Sequence, residues 1–290
     1  MRRTSRRKAI GGMLLGSLSA SGIIPLTAMQ QEKEEALRGN IRHSVCRWCY
    51  GSIPTEEFFA AVAAMGLKAV DLVGPADWPL LAKYGLDSSM CNGAEINLTD
   101  GWNDKGFHDR LVQNYTEMIP RVAKAGYGNL ICFSGNRRGK DHETGLANCT
   151  EGLKRIMSIA EKNKVVVVME LLNSKIDHKD YQCDHTAWGV ELVKRIGSPN
   201  FKLLYDIYHM QIDEGDVIRT IRENHEHIAH YHTGGVPGRH EIDDTQELNY
   251  PTIMKAILET GFKGYVAQEF IPTWPDKLAA LRKAVQICDV

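Results

Sequence analysis

VVVVMELLN, residues 165–173, decides the fold. Four consecutive valines are β-branched and wholly apolar, which suits a strand covered on both faces, as strands of a parallel sheet are. The run then ends in a carboxylate, Glu170, where a buried strand leaves its core. The pattern recurs downstream: KLLYDIYHM (202–210) delivers Asp206 and His209, IAHYHTGG (228–235) delivers His232, and GYVAQEF (264–270) delivers Glu269. Four successive apolar strands ending in Glu, Asp, His and Glu imply one polar rim of a parallel barrel.

A second pattern joins these strands to helices. AAVAAMGLKAVDLV (60–73), PRVAKAGYGNLICF (120–133) and KAILETGFKGYVAQEF (255–270) each read as the end of an amphipathic helix, a glycine, an apolar residue and a strand. Gly66, Gly126 and Gly261 fall where a helix takes a left-handed residue after its last turn. Strands are expected at 42–48, 68–73, 88–92, 128–134, 165–172, 202–208, 228–233 and 264–270, with helices between most of them. Eight such units in one α/β domain of residues 41–290, close to the ~250 typical of the architecture, imply a single-domain (β/α)8 TIM barrel. No glycine-rich phosphate loop follows the first strand, which weighs against a doubly wound dinucleotide-binding sheet.

The first residues read differently. Arg2, Arg3, Arg6, Arg7 and Lys8 form a basic head, Ile10 to Leu26 is modestly apolar, and Leu26-Thr27-Ala28 resembles a cleavage site. Ser5-Arg6-Arg7 resembles a twin-arginine export motif, so residues 1–28 are expected to be an export signal and the mature protein periplasmic or otherwise exported. Pro25 and the glycines and serines around it argue against a spanning helix, which needs ~20 mostly apolar residues, so no stable membrane insertion is expected after processing. Residues 29–40 read as a polar lead-in. Without residues 1–28 the chain keeps 30 basic against 36 acidic residues, a formal charge of −6. Nucleic-acid binders carry the opposite balance or a basic stripe, and none is expected as a partner here.

Seven cysteines, Cys46, Cys49, Cys91, Cys132, Cys149, Cys183 and Cys288, are an odd set without the spacing of a disulfide framework. Cys46-Arg47-Trp48-Cys49 has redox-motif spacing but falls on the first expected strand rather than opening a helix. Two strand residues three apart point to opposite faces, so ordinary thiols are expected.

In a parallel barrel the C-terminal strand ends form the active face, which turns sequence position into proximity. Glu170, Asp206, His232 and Glu269 would converge from strands five to eight. Three carboxylates and one imidazole are an oxygen-rich set, suited to one divalent ion such as Mn²⁺, Mg²⁺ or Co²⁺ with positions left for substrate. A structural zinc site would use more sulfur and close its shell.

With MELLN (169–173), YDIYHMQ (205–211), HYHTGGVPGRHEID (230–243), LNY (248–250) and QEF (268–270), the chain resembles the xylose-isomerase-like barrels and, within them, the hydroxypyruvate isomerase family. The resemblance implies a metal-dependent isomerisation of 3-hydroxypyruvate to 2-hydroxy-3-oxopropanoate, or of a related keto sugar, through a cis-enediolate, with Glu170 and Glu269 as the paired acid and base. His209 is placed to donate to the substrate oxygen that becomes an oxyanion, and Arg239 to clamp a substrate carboxylate or hydroxyl with its planar fork. His240 and Glu241 are weaker neighbours. His108, His142, His178 and His185 are expected off the rim. One departure matters: hydroxypyruvate isomerases tend to carry Gln at the strand-seven metal position, whereas related epimerases carry His, as this chain does at His232. The rivals are therefore a keto-sugar 3-epimerase of the same fold and, from another class, a non-catalytic periplasmic sugar-binding barrel. A relative of endonuclease IV would need more His and Asp ligands and a basic groove. The sequence leaves the oligomeric state open, a homo-oligomer included.

Overall fold

The computed structural model describes residues 36–290. The expected export signal, and residues 29–35 of the lead-in, lie outside the described residues; residues 36–40 are irregular.

Eight strands close on themselves in sequence order, each parallel to both neighbours: β1 Arg42–Cys46, β2 Ala69–Val73, β3 Asp87–Cys91, β4 Asn129–Cys132, β5 Val166–Glu170, β6 Phe201–Asp206, β7 Ile228–Thr233 and β8 Tyr265–Gln268. Around them run α1 Thr55–Ala64, α2 Trp78–Lys83, α3 His108–Lys124, α4 His142–Asn163, α5 Thr186–Ile196, α6 Ile207–Asp213, α7 Val217–Asn224, α8 Tyr250–Glu259 and α9 Lys277–Cys288. The single-domain (β/α)8 barrel read from the sequence is the observed architecture, and every expected strand is present. Valines 167 and 168 are fully buried on β5, as its continuous apolar run requires.

Six of the eight strands end sooner than expected, β2 and β7 ending where expected. β1 stops at Cys46, and Arg47–Tyr50 coil into a 3-10 turn. Cys46 and Cys49 are therefore not both strand residues, which corrects the geometry assumed for that pair. The expected chemistry stands, because all seven cysteines are buried and unbridged. No helix among the described residues is long and apolar enough to cross a membrane.

The αβ joints follow the sequence pattern. Gly66, Gly126 and Gly261 take φ of +85°, +86° and +79° just past α1, α3 and α8. A β-carbon in this left-handed conformation crowds the following carbonyl, at a cost of ~1–2 kcal/mol. At Gly126 an added methyl group would meet nothing else within 4 Å, so the cost there is conformational. Gly126→Ala should therefore lower stability by about 1 kcal/mol, whereas Gly128→Ala, an equally open site without a left-handed φ, should change it by less than about 0.5 kcal/mol. Urea titration of both variants checks this; equal effects would contradict the joint assignment.

Candidate active site

Each of the four rim residues arrives by strand geometry. Asp206 and His232 are register partners on β6 and β7, Glu170 ends β5, and Glu269 is the first residue past β8, its amide donating to Thr233 O at 2.9 Å. All four are buried. Their ligand atoms lie within 4.8 Å of one another. His232 Nδ1 is the centre, 2.7 Å from Glu269 Oε2, 3.2 Å from Glu170 Oε1 and 3.9 Å from Asp206 Oδ2.

Three buried carboxylates around one atom are costly unless positive charge joins them. Arg239 supplies some of it: Nη2 meets Glu269 Oε2 in a short ion pair and sits 3.3 Å from Asp206 Oδ2. The consequences differ by residue. Burial raises the Glu170 carboxyl, with the nearby Glu269 charge adding to it. Burial likewise raises Asp206, against the pull of Arg239. Burial would raise Glu269 too, but Arg239 and His232 hold it well below the usual carboxylate range. Burial would lower His232, yet Glu269 and its other anionic neighbours push it well above an ordinary imidazole. The negative charge thus settles on Glu269, with Arg239 and the imidazole as its counter-ions.

That donor set fits a divalent cation. Glu170, Asp206, His232 and Glu269 would hold it, three hard oxygens and one nitrogen. His232 Nδ1 is a buried polar atom with no well-formed hydrogen bond, aimed into the carboxylates.

The D-x-x-H spacing has a local cause. Asp206 caps α6, its Oδ1 accepting from the His209 amide at 3.1 Å, and that single turn returns the imidazole over the cap, with Nε2 3.6 Å from Asp206 Oδ2. His209 thus stands on a helical turn. Asn173 fixes its ring: Asn173 Oδ1 accepts from the amides of Ile176 and Asp177, so Nδ2 is the group 2.6 Å from His209 Nδ1. The proton then belongs on Nε2, facing the rim. Burial, with Arg239 nearby, keeps this imidazole neutral by lowering its pKa well below the ordinary value.

Arg239 is held with its guanidinium carbon 5.2 Å from the Trp48 ring centroid and 5.4 Å from that of Tyr208. Its own backbone is left-handed, φ +59°. Glu241 is a brace rather than a site group, accepting from Thr273 and Trp274 amides at 2.5 and 2.9 Å. His240 is exposed, with Nδ1 3.0 Å from Ile271 O. His108, His142 and His185 lie off the rim as expected, His108 buried with Nε2 2.9 Å from Trp102 O. His178 does not: its ring centroid is 5.2 Å from that of His209. It comes close because residues 174–180 fold back after β5.

Three participants were not legible. Trp48 donates from Nε1 to Glu269 Oε1 at 2.7 Å, and Asp71 and His230 lie in the barrel beneath His232. Trp48 was hidden by placing residues 46–49 on a strand. Asp71 is one acid in AVDLV (69–73), a pattern equally consistent with a residue facing the helices.

The xylose isomerase-like TIM barrel family matches residues 59–287. A human protein provisionally named hydroxypyruvate isomerase is 30% identical over 122 residues, 42% of this chain and 44% of that protein, so that match spans less than half of the relative. The 2-oxo-tetronate isomerase of Cupriavidus necator is 28% identical over 230 residues, 74% of this chain and 86% of that one. The solved structure of a family 2 AP endonuclease from Brucella melitensis superposes with a TM-score of 0.74 at 24% identity, over 83% of this chain and 96% of that one, a likeness of fold.

The charge balance generates a test. Arg239→Met leaves Asp206 and Glu269 facing a neutral side chain, and breaking a buried pair on one side costs about 3–5 kcal/mol. In EDTA-treated protein the variant should lose that much stability in urea titration, and saturating Mn²⁺ should return most of it. Equal stability of variant and wild type in EDTA would contradict the role assigned to the guanidinium.

Proposed function

The chain belongs to the xylose isomerase-like TIM barrel family, and from that premise we propose that it is a metal-dependent isomerase of small hydroxy-keto acids, interconverting 3-hydroxypyruvate and 2-hydroxy-3-oxopropanoate or a close homologue. The observation that carries the reading is the convergence of Glu170 and Glu269, both buried, on His232 Nδ1 at 3.2 and 2.7 Å. The names of the human and Cupriavidus relatives, both isomerases of short keto acids, support the substrate class.

Moving a proton between adjacent carbons requires a base, an acid and stabilisation of charge on two neighbouring oxygens. A divalent ion held by Glu170, Asp206, His232 and Glu269 supplies Lewis acidity and a template for those oxygens. The protein's own groups do the rest. Glu269 would take the α-proton and Glu170 would deliver a proton of its own to the neighbouring carbon while the hydroxyl proton passes from one substrate oxygen to the other; the protonated Glu269 and anionic Glu170 that result are the starting states of the reverse reaction. His209, with its proton on Nε2, donates to the oxygen on which the cis-enediolate gathers charge. Arg239, set between Trp48 and Tyr208, turns its fork to the substrate carboxylate.

His232 favours one alternative, a keto-sugar 3-epimerase with the same glutamates, because the resemblance associates histidine at this strand position with epimerases. Product analysis with hydroxypyruvate, fructose, tagatose and xylulose separates the two. Glu170→Gln and Glu269→Gln keep shape and one ligand oxygen but remove the base, so each should lower kcat by about 10²–10⁴ while substrate binding and metal content change far less. Both variants retaining metal and near-normal turnover would refute the proton-transfer assignment.

We also read residues 1–28 as a twin-arginine export signal on their Arg6-Arg7 pair. Replacing both by Lys should retain precursor in the cytoplasm on cell fractionation; unchanged export would assign the general secretory route instead.

A further inference from the structure

Beneath the rim, the barrel interior holds a charged group that none of the steps above uses. Asp71 on β2 is fully buried. Its Oδ1 lies 3.0 Å from His232 Nε2; its Oδ2 lies 2.9 Å from His230 Nε2 and accepts from Ser89 Oγ at 2.5 Å. Ser89 Oγ in turn sits 2.5 Å from Ser44 Oγ, and Cys46 Sγ is 3.5 Å from Asp71 Oδ1. β1, β2, β3 and β7 all contribute, so the network crosses the barrel.

This arrangement is expensive. A buried carboxylate costs several kcal/mol before its partners offset it, and barrel interiors are usually filled with branched apolar side chains. β2 is also irregular here: Leu72 has φ +53°, and the register with β3 shifts on both sides of Asp71. Bulges of this kind re-aim a side chain, and they cluster next to active sites. The two costs fall on adjacent residues of one strand, Asp71 and Leu72.

The two nitrogens of His232 have separate partners. Nε2 faces Asp71 and Nδ1 faces Glu170, Asp206 and Glu269. A neutral imidazole can carry its proton on either nitrogen, and the hydrogen bond made by one decides what the other offers. With the Nε2 hydrogen donated to Asp71, a divalent ion taking the place of a proton at Nδ1 would meet the Nδ1 lone pair at the rim. We propose that Asp71 is a positioning residue that fixes the ring orientation and Nε2–H tautomer of His232, so that Nδ1 is the nitrogen donor of the metal site, while the hydrogen bond from Ser89 fixes Asp71 itself. The proposal rests on the reading of Glu170, Asp206, His232 and Glu269 as that site.

The test uses EDTA-stripped full-length protein and Mn²⁺ alone, with Kd from the electron paramagnetic resonance of free Mn²⁺ and stability from urea titration. Loss of an outer-shell partner of a ligating histidine weakens metal affinity by about 10–100-fold, and Asp71→Ala should fall in that range. Asp71→Asn, which keeps one acceptor, should lose less. Val70→Ala, in the apolar cluster with Phe58, Phe59 and Val62, calibrates what lost packing on β2 does: it should lower stability and leave Kd within about twofold. If Asp71→Ala does not fold, Asp71→Asn carries the test, with a Kd at least about threefold above that of Val70→Ala expected. Kd values for the Asp71 variants no weaker than for Val70→Ala overturn the positioning role and leave the metal site standing. Wild type that takes up no Mn²⁺ overturns both.

Discussion

Three carboxylates and an imidazole share one water-poor space at the mouth of the barrel, and the need to balance that charge organises everything around it. Negative charge cannot accumulate there without positive charge close by. Arg239 meets part of that need from the loop after β7, and His232 meets part from within. The same demand explains why the residues around the rim are so densely paired: Trp48 on Glu269, Asn173 on His209, Asp71 on His232. Each contact fixes which atom of a titratable group faces the centre.

The fold meets this demand through closure. β5 to β8 carry the four rim residues on adjacent strands, so their spacing is set by strand separation and register rather than by loops. Closing β8 onto β1, whose other neighbour is β2, then brings Trp48 and Asp71, far earlier in the chain, against Glu269 and His232. Strand ends hold the four rim residues and loops carry Arg239 and His178; in the proposed function the former would move protons and the latter would lie beside the substrate. This division suits a site in which small displacements of the proton-transfer groups are costly and specificity must vary.

Some of this was open to reading from residue order and some was not, for physical reasons. The valines before Glu170 and the glycines at 66, 126 and 261 act locally: a buried strand needs apolar residues in succession, and a left-handed joint needs glycine. The rim residues were legible for the same reason, since a polar group ending an apolar strand has few other places to be. Asp71 depends instead on a bulge at Leu72 and on two histidines some 160 positions away, neither of which leaves a local trace. His178 depends on how a loop folds back. A strand expected over 42–48 takes in Cys46 to Trp48, but the backbone turns at Arg47.

The converged glutamates are proposed to move a proton on substrate carbon. Nuclear magnetic resonance of Mn²⁺-reconstituted wild type, quenched with EDTA after incubation with 3-hydroxypyruvate in deuterium oxide, observes that event directly, whatever the final product. Enzyme-dependent deuterium is expected at the carbon that bears the exchanging proton, well above the rate in buffer containing Mn²⁺ alone. No enzyme-dependent exchange into hydroxypyruvate, or into any keto sugar tried beside it, would contradict proton transfer at this site and leave a binding protein as the better description.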